Sequence, residues 1–171
     1  MPEVFIGAGS NADPERRLSL AIAELERRFG PVRCSSVFRG PAVGVPGADY
    51  SNLVVALTTE HSVDSLRDEL RAIEALAGRA RIRSCNSRTP PSMAATRADA
   101  AVCELDLDLL LYGCRVDALR RLPRPGFLTL PFVLVPLAEL APLLTHPVTG
   151  ERIAHQPTLR PPSTAMICPV T

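Results

Sequence analysis

The stretch E-L-D-L-D-L-L-L-Y-G, at residues 104–113, constrains the fold of this chain more than any other part of the sequence. Residues i and i+2 of a β-strand point to the same face of a sheet. Asp106 and Asp108 are therefore predicted to lie side by side on one face, with the alternating leucines on the other. The run of leucines at residues 109–111 predicts that the strand continues into a buried core.

The carboxylate pair has two interpretations. Two carboxylates side by side at a buried strand repel each other and lose hydration unless a cation lies between them. A divalent metal is the usual solution, and Mg²⁺ held by one or two carboxylates together with substrate phosphates is its usual form. The alternative is a half-solvated strand with a polar outer face. Because alternation is the ordinary strand pattern, spacing alone leaves both interpretations open.

Composition excludes several classes of protein. A length of 171 residues suits one domain with a sizeable core, expected over residues 1–156, followed by a Pro-rich tail over residues 157–171. The net charge of +1 creates no field that would favour nucleic acid or an anionic membrane, and no apolar run is long enough to span a bilayer. The five cysteines are scattered without a C-x-x-C pair, which argues against a zinc site and predicts reduced cytosolic thiols.

Arginine supplies all the long basic side chains, because the sequence contains no lysine. Lysine-nucleophile chemistry and a P-loop lysine are therefore excluded, whereas arginine suits bidentate contacts with phosphate. A run of arginines from Arg79 to Arg97 precedes the carboxylate pair, and it either clamps a polyphosphate or forms a solvated basic loop. Residues 84–102, rich in Ser, Thr, Pro and Ala, are expected to be mobile and to order over bound phosphates as a lid.

Periodicity and turn residues elsewhere predict an α+β chain. Strands are predicted at residues 3–7, 32–39, 52–58 and 115–119. Helices are predicted from Pro14 to Phe29 after an Asp13 cap, over residues 63–77 after a Ser62 cap, and near residues 137–140. Glycine-rich residues 7–11 are predicted to form a tight turn, with a phosphate cradle as the alternative. This order favours one mixed or antiparallel sheet covered by helices.

Seven short segments, in the same order along residues 4–142, resemble those of one enzyme family. They are I-G-A-G-S-N at 6–11, R-G-P-A-V-G at 39–44, D-Y-S-N at 49–52, I-E-A-L-A-G-R-A-R at 73–81, L-D-L-D-L-L-L-Y-G at 105–113, L-P-R-P at 122–125 and P-F-V-L-V-P-L at 131–137. The most specific feature is G-R-x-R followed by D-L-D-L-L-L-Y-G. With these motifs the chain resembles the 6-hydroxymethyl-7,8-dihydropterin pyrophosphokinases of the folate pathway.

The resemblance implies a ferredoxin-like α+β sandwich with one mainly antiparallel sheet covered by helices. It implies transfer of pyrophosphate from ATP, the co-substrate, to the hydroxymethyl group of a reduced pterin, with release of AMP. The implied partners are these two small molecules, without nucleic acid or membrane, and a cytoplasmic monomer is expected. Two Mg²⁺ ions are expected at the family's carboxylate pair, which falls on Asp106 and Asp108 in agreement with the strand argument.

The resemblance also implies roles for residues outside the carboxylate pair. The G-R-x-R arginines, Arg79 and Arg81, are expected to bind ATP and to act in catalysis together with Arg88. Arg124 stands where the family has a histidine, and it can serve as a phosphate donor in place of that residue. The family's pterin pocket maps onto five positions: Gly40, Val43, Tyr50, Asn52 and Phe132. An asparagine amide can pair with both donor and acceptor edges of a pterin, and a phenylalanine ring can stack on it. For Phe132 alone, core packing is the alternative.

The match breaks just before the carboxylate pair, where the family reads G-P-R-T-x-D-x-D. Either Cys103 occupies the arginine position, or Ser87-Arg88-Thr89 carries the motif and residues 90–104 are inserted after it. The second alignment is favoured, because the spacing from Arg81 to Arg88 is nearly that of the family. The aromatic residue of this loop is also absent, Arg124 replaces a histidine and Leu130 replaces an arginine.

These departures keep more than one function open. A lost phosphate donor in a water-excluded site typically costs about 2.7–4 kcal/mol of transition-state stabilisation. The first hypothesis is an active pterin pyrophosphokinase with a remodelled catalytic loop. The alternatives are a catalytically weakened paralogue that binds nucleotide or pterin as a regulatory module, and a pyrophosphokinase for a different substrate.

Overall fold

A five-stranded antiparallel sheet runs through the computed structural model, which describes residues 1–41, 48–78 and 105–155. The strands are β1 (Glu3–Ser10), β2 (Arg33–Cys34), β3 (Phe38–Gly40), β4 (Tyr50–Thr58) and β5 (Asp106–Tyr112). The α-helices are α1 (Pro14–Phe29), α2 (Val63–Leu76) and α3 (Pro131–Leu140), and short 3-10 helices span Phe127–Thr129 and Ile153–His155. None of the helices in these ranges is long and apolar enough to cross a membrane.

The pairing of the strands gives a ferredoxin-like topology. Strand β1 pairs with β4 on one side and with β5 on the other, while β2 and β3 both pair with the far side of β4. With β2 and β3 taken as one interrupted strand, the chain order is β-α-β-β-α-β, the ferredoxin-like arrangement. The expected α+β sandwich is therefore confirmed. In the described part of the chain, β5 forms one edge of the sheet.

Each face of the sheet is covered by its own apolar cluster. On one face, α1 and α2 pack their apolar sides against alternate residues of β1, β4 and β5. On the other face, α3 and the two 3-10 helices pack against the intervening residues. Helix α3 contributes Val133, Leu134 and Leu137, a helical spacing that turns one apolar stripe towards the sheet. The result is a three-layer sandwich with the sheet in the middle.

A β-bulge explains the leucine run at the end of β5. Phe5 pairs with Leu111 and Ile6 with Leu109, so Leu110 is an extra residue in the ladder. Leu109 packs in the cluster under α1 and α2, whereas Leu110 and Leu111 both pack in the cluster under α3. The predicted continuation of this strand into a buried core is confirmed. The bulge lets consecutive leucines serve both cores.

Helices with clear end signals begin and end near their predicted positions. Helix α1 begins at Pro14 and is followed by Gly30, which adopts φ 83°. Helix α2 begins after Ser62, whose side chain accepts a hydrogen bond from the Ser65 backbone N–H at 3.2 Å. Asp13 lies at the cap position of α1 but has φ 49° and makes no side-chain cap hydrogen bond, so that capping prediction is wrong.

The predicted glycine-rich turn at residues 7–11 is wrong, because β1 continues to Ser10. Gly7 and Gly9 are paired with β4 on one side and β5 on the other, and this double pairing overrides the local turn tendency. The predicted strand at residues 32–39 is interrupted. Ser35 Oγ accepts the Val54 backbone N–H at 3.0 Å, and an extra residue enters between β2 and β3.

Two predictions near the C-terminal half also differ from the structure. Residues 115–119 form no strand: Asp117 and Leu122 make a single bridge that closes a tight loop, and the described residues provide no partner for a longer ladder. Helix α3 begins at Pro131 rather than near residue 137, because the buried stripe that holds it in place begins with Val133 and Leu134. The predicted mobile segment 84–102 and the tail 157–171 lie outside the described residues.

Candidate active site

A row of residues in register crosses three strands of the sheet. Asn52 of β4 pairs with Gly9 of β1, and Gly9 pairs with Asp106 of β5. In the next row on the same face, Gly7 lies between Val54 and Asp108. Val54 packs in the cluster beneath α3, so both aspartates lie on the α3 face of the sheet. The predicted placement of the two carboxylates on one face of a strand agrees with this register.

The glycine between Asn52 and Asp106 is required by the position of the asparagine side chain. A Cβ added to Gly9 would lie 2.7 Å from Asn52 Oδ1, which is closer than such atoms can approach, and 4.0 Å from Tyr50 Cδ1. The same atom on Gly7 would lie 3.5 Å from Leu110 Cδ2, an ordinary contact. The Asn52 amide and the edge of the Tyr50 ring therefore lie over Gly9, and a side chain there would displace the amide.

The carboxylate pair is half-buried and short of positive charge. Burial, the negative charge of Asp106 and a hydrogen bond between the two carboxyls together raise the pKa of Asp108 to about 7. Arg124 opposes this shift, since its Nη2 lies 2.6 Å from Asp108 Oδ2. The nearby guanidinium thus offsets only part of the cost of charging Asp108, and an added cation would offset more of it.

A buried glutamate contacts the backbone between the two aspartates. Glu74 of α2 is 4% exposed, and its Oε1 accepts a hydrogen bond from the Leu107 N–H at 2.9 Å. Its negative charge also contributes to the raised pKa of Asp108. Glu74 is not among the site residues predicted from the sequence, although its position carries a signal. It follows Ile73 and lies four residues after Leu70, and this spacing puts it on the inner face of the helix.

A polar cleft of about 380 Å³ lies along the outer edge of β5, between α2 and residues 121–125, and is called the α2–β5 cleft below. Its charged lining consists of four arginines and three acidic residues: Arg67, Arg71, Arg121, Arg124, Glu74, Asp106 and Asp108. Leu130, which replaces the family's arginine, also lines the cleft. A cleft with this balance of charges can bind a polyanion together with a divalent cation.

The cleft arginines come from two different elements. Arg67, Arg71 and Glu74 recur at helical spacing along α2, a polar stripe that the sequence analysis did not use. Arg121 lies on the opposite side of the cleft from α2, and its backbone has a left-handed conformation with φ 50°. The backbone N–H of Arg124 donates to the Leu110 carbonyl at 2.9 Å, which attaches this segment to the edge of β5. The side chain of Arg124 also reaches this edge, since it pairs with Asp108.

Three of the five predicted pterin-site residues lie on or beside the Asn52 row. Tyr50 and Asn52 are two residues apart on one face of β4, and Gly40 pairs with Tyr50. Phe132 is half-buried at the start of α3 and packs against the apolar cluster under that helix, which agrees with the core-packing interpretation of its ring. Val43, Arg79, Arg81, Arg88 and Cys103 lie outside the described residues.

The known proteins that this chain resembles in sequence belong to one enzyme family. The model of the 7,8-dihydro-6-hydroxymethylpterin-pyrophosphokinase family matches residues 5–142. A 2-amino-4-hydroxy-6-hydroxymethyldihydropteridine pyrophosphokinase from Synechocystis is 40% identical over 153 residues, which cover 86% of this chain and 71% of the relative. The enzyme of the same name from Haemophilus influenzae is 33% identical over 86% of this chain and 86% of its own length. The one from Pseudomonas aeruginosa is 33% identical over 84% of this chain and 83% of its own length. The chain therefore belongs to the 7,8-dihydro-6-hydroxymethylpterin-pyrophosphokinase family.

Proposed function

We propose that this chain carries out the family's reaction at the α2–β5 cleft and the adjoining face of the sheet. The reaction transfers pyrophosphate from ATP to the hydroxymethyl group of 6-hydroxymethyl-7,8-dihydropterin and releases AMP. One observation carries the proposal: Asp106 belongs both to the lining of the cleft and to the row that contains Gly9 and Asn52. A nucleotide in the cleft and a pterin over Gly9 would thus meet at the carboxylate pair, which supplies the proximity that a two-substrate reaction needs.

The donor set at this junction fits Mg²⁺. Carboxylate oxygens are the ligands that Mg²⁺ prefers, and burial together with the charge of Asp106 raises the pKa of Asp108 although Arg124 lies beside it, so one guanidinium does not offset the two carboxylates. The described residues contain no group of three or more metal-ligating side chains, so the remaining ligands would be waters and phosphate oxygens. We assign Asp106 and Asp108 as the residues that hold two ions. When bound, the metal supplies positive charge that neutralises and orients the phosphates.

The arginines of the cleft are proposed to bind the triphosphate of ATP. Arg71, Arg121 and Arg124 face the same cleft from opposite sides, and guanidinium groups bind phosphate oxygens through paired hydrogen bonds. From the resemblance, Arg79, Arg81 and Arg88 are proposed to act on the transferring group. Their role is to hold the phosphates in line and to stabilise charge as the bond to AMP breaks, because the transfer itself needs little covalent help from the protein.

The pterin is proposed to bind on the sheet face between β4 and α3. The Asn52 amide would pair with its donor and acceptor edge, while Tyr50 and Phe132 would contact the faces of the ring. Gly40 and Val43 would supply backbone contacts, as the resemblance implies. Gly9 supports this assignment, because the absence of a side chain there leaves the Asn52 amide free to lie over the strand.

AMP release from ATP in the presence of 6-hydroxymethyl-7,8-dihydropterin and Mg²⁺ tests the proposal directly. We expect turnover by the wild-type chain and its loss in Asp106→Ala and Asp108→Ala, with binding of Mg²⁺·ATP abolished in both. Asp13→Asn, which changes an exposed carboxylate just before α1, is the matched control for loss of a carboxylate and should retain activity. Normal Mg²⁺·ATP binding by either alanine variant would contradict the metal assignment.

A second function is favoured by one feature of the cleft. Leu130 lines it at the position of a family arginine, so one phosphate donor is replaced by an apolar side chain. A binding protein with weak catalysis would bind ATP or the pterin in a calorimeter but release no AMP. A pyrophosphokinase for another substrate would release AMP only when other pterins or alcohols are supplied.

We further propose a cytoplasmic monomer with one domain over residues 1–156 and a tail over residues 157–171. Free thiols at the exposed Cys34 and Cys114 support a reducing compartment. The two apolar clusters share one sheet, which supports a single folding unit. Light scattering of the purified chain should give the monomer mass, and truncation after residue 156 should leave one cooperative unfolding transition.

A further inference from the structure

Glu74 is a buried charged group that no step proposed above uses. It lies on the inner face of α2 among Leu70 and Ile73, where an apolar residue would pack without losing hydration. Burial of a carboxylate is costly unless hydrogen bonds compensate it. One such hydrogen bond is present, because Glu74 Oε1 accepts the N–H of Leu107 at 2.9 Å.

The location of that N–H explains why the contact matters. Leu107 is the residue between Asp106 and Asp108, and β5 is at the edge of the sheet in the described residues. The Leu107 amide points away from β1, towards the side of β5 on which the described residues contain no further strand. The Glu74 carboxylate accepts the hydrogen bond that a neighbouring strand would otherwise accept. The Arg124 N–H likewise donates to the Leu110 carbonyl farther along.

The contact is electrostatically unfavourable for the metal-free protein. Glu74 adds a third negative charge near a pair of carboxylates that already repel each other. It therefore does not stabilise the aspartates by its charge, and the hydrogen bond to the backbone between them is its specific contribution.

We propose that Glu74 is a positioning residue for the carboxylate pair: its bond to the Leu107 amide holds the backbone between Asp106 and Asp108, and so sets the spacing and direction of the two carboxylates for a divalent cation. The inference rests on the metal site of the proposed function. Glu74 itself need not touch the metal or either substrate.

Three variants separate the hydrogen bond from the charge and from general loosening of the helix. Glu74→Gln keeps an oxygen acceptor of the same shape and removes the charge, whereas Glu74→Ala removes both. Ile73→Ala is the matched control, because it creates a cavity at the neighbouring buried position of α2 and leaves the acceptor of the Leu107 N–H in place. Exchange of the Leu107 amide, followed by NMR in EDTA, reports on the bond without any metal. Binding of Mn²⁺ alone, followed by electron paramagnetic resonance, reports on the site.

We expect Glu74→Ala to accelerate exchange of the Leu107 amide and to weaken Mn²⁺ binding by about tenfold or more, the usual effect of losing a residue that orients metal ligands. Glu74→Gln should remain close to wild type in both measurements, and Ile73→Ala should leave Mn²⁺ binding unchanged. Should Glu74→Ala fail to fold, Glu74→Gln alone decides, since a large loss of Mn²⁺ affinity there would show that charge and not position is what Glu74 supplies.

Two outcomes would overturn the inference in distinguishable ways. Unchanged Mn²⁺ binding in Glu74→Ala, together with its loss in Asp106→Ala, would refute the role of Glu74 and leave the proposed metal site standing. Absence of Mn²⁺ binding by the wild-type chain would refute the metal site itself, and this inference with it.

Discussion

Arg124 Nη2 lies 2.6 Å from Asp108 Oδ2, so a cation from the chain itself neutralises one member of the carboxylate pair. The side chains are 21% and 30% exposed, which makes the contact stronger than an ordinary surface ion pair. The same guanidinium lines the cleft proposed for ATP. Arg124 therefore competes with a metal for Asp108 in the free protein and is available to the phosphates once a metal has replaced it.

Arg124→Gln tests this competition. Removal of the guanidinium leaves Asp108 without its partner, so Mn²⁺ alone should bind more tightly than to the wild type. Affinity for Mg²⁺·ATP should fall about tenfold or more, because a hydrogen bond to a charged group is worth about 1.5–3 kcal/mol. Titration calorimetry measures both. Arg71→Gln is the control: Arg71 lines the cleft but pairs with Asp68, so its loss should weaken ATP binding without tightening Mn²⁺ binding.

The raised pKa of Asp108 predicts that the metal-free protein loses stability as the pH rises. The folded-state pKa is about 7, above the ordinary 3.8 of an unfolded chain, so the folded state binds the proton more tightly. This contribution is fully present below pH 3.8 and is lost as the pH rises through 7, with a slope of at most about 1.4 kcal/mol per pH unit. Urea unfolding in EDTA at several pH values measures it.

Asp108→Asn is the control for this pH dependence, since an amide does not titrate. Its free energy of unfolding should fall less than that of the wild type between pH 4 and pH 7, the range between the two pKa values. Parallel curves for the two proteins would mean that Asp108 titrates in the folded state as it does in the unfolded chain.

Gly9→Ala should weaken pterin binding selectively. The new methyl group would lie 2.7 Å from Asn52 Oδ1 and would push the amide away from the position in which it is proposed to pair with the pterin. We expect about a tenfold loss of pterin affinity, the value of roughly two neutral hydrogen bonds, with ATP affinity unchanged. Gly7→Ala, whose methyl group would meet Leu110 at 3.5 Å, should bind both substrates normally. Equal losses in the two variants would rule out the steric argument.

Arg121→Gly should raise the stability of the fold and weaken nucleotide binding. Arg121 has φ 50°, a left-handed conformation that is unfavourable for a residue with a side chain, so glycine should stabilise the fold by up to about 1 kcal/mol. The same change removes a guanidinium from the cleft and should weaken ATP binding. Arg121→Ala keeps the backbone strain, so it should weaken ATP binding without raising the midpoint of thermal unfolding. A stability gain in both variants would contradict the backbone explanation.

Features with a local cause could be predicted from the sequence. The carboxylate pair follows from strand alternation, which puts Asp106 and Asp108 on one face whatever the strand pairs with. The ends of α1 and α2 follow from Pro14, Gly30 and Ser62, because each of these residues acts on the first or last turn of its own helix. The motif order along residues 4–142 was sufficient to predict the family, which the comparison confirms.

Features that depend on pairing between distant residues could not be predicted in this way. Gly7 and Gly9 read locally as a turn but are strand residues, because β4 and β5 pair with them from both sides. The bulge at Leu110 and the interruption at Ser35 are likewise settled by the register of partner strands. Arg71 and Arg121 are separated by 50 positions in the chain and face one cleft only after α2 packs beside β5.

The sequence by itself thus determined the α+β class, the carboxylate pair and the family, because periodicity, end signals and short motifs are properties of neighbouring residues. Only the tertiary structure decided that Asn52 lies over Gly9, that Arg124 pairs with Asp108 and that Glu74 binds the amide between the two aspartates. The physical reason is that each of these contacts joins elements far apart in the chain. Their geometry is set by sheet register and helix packing, which no local pattern encodes.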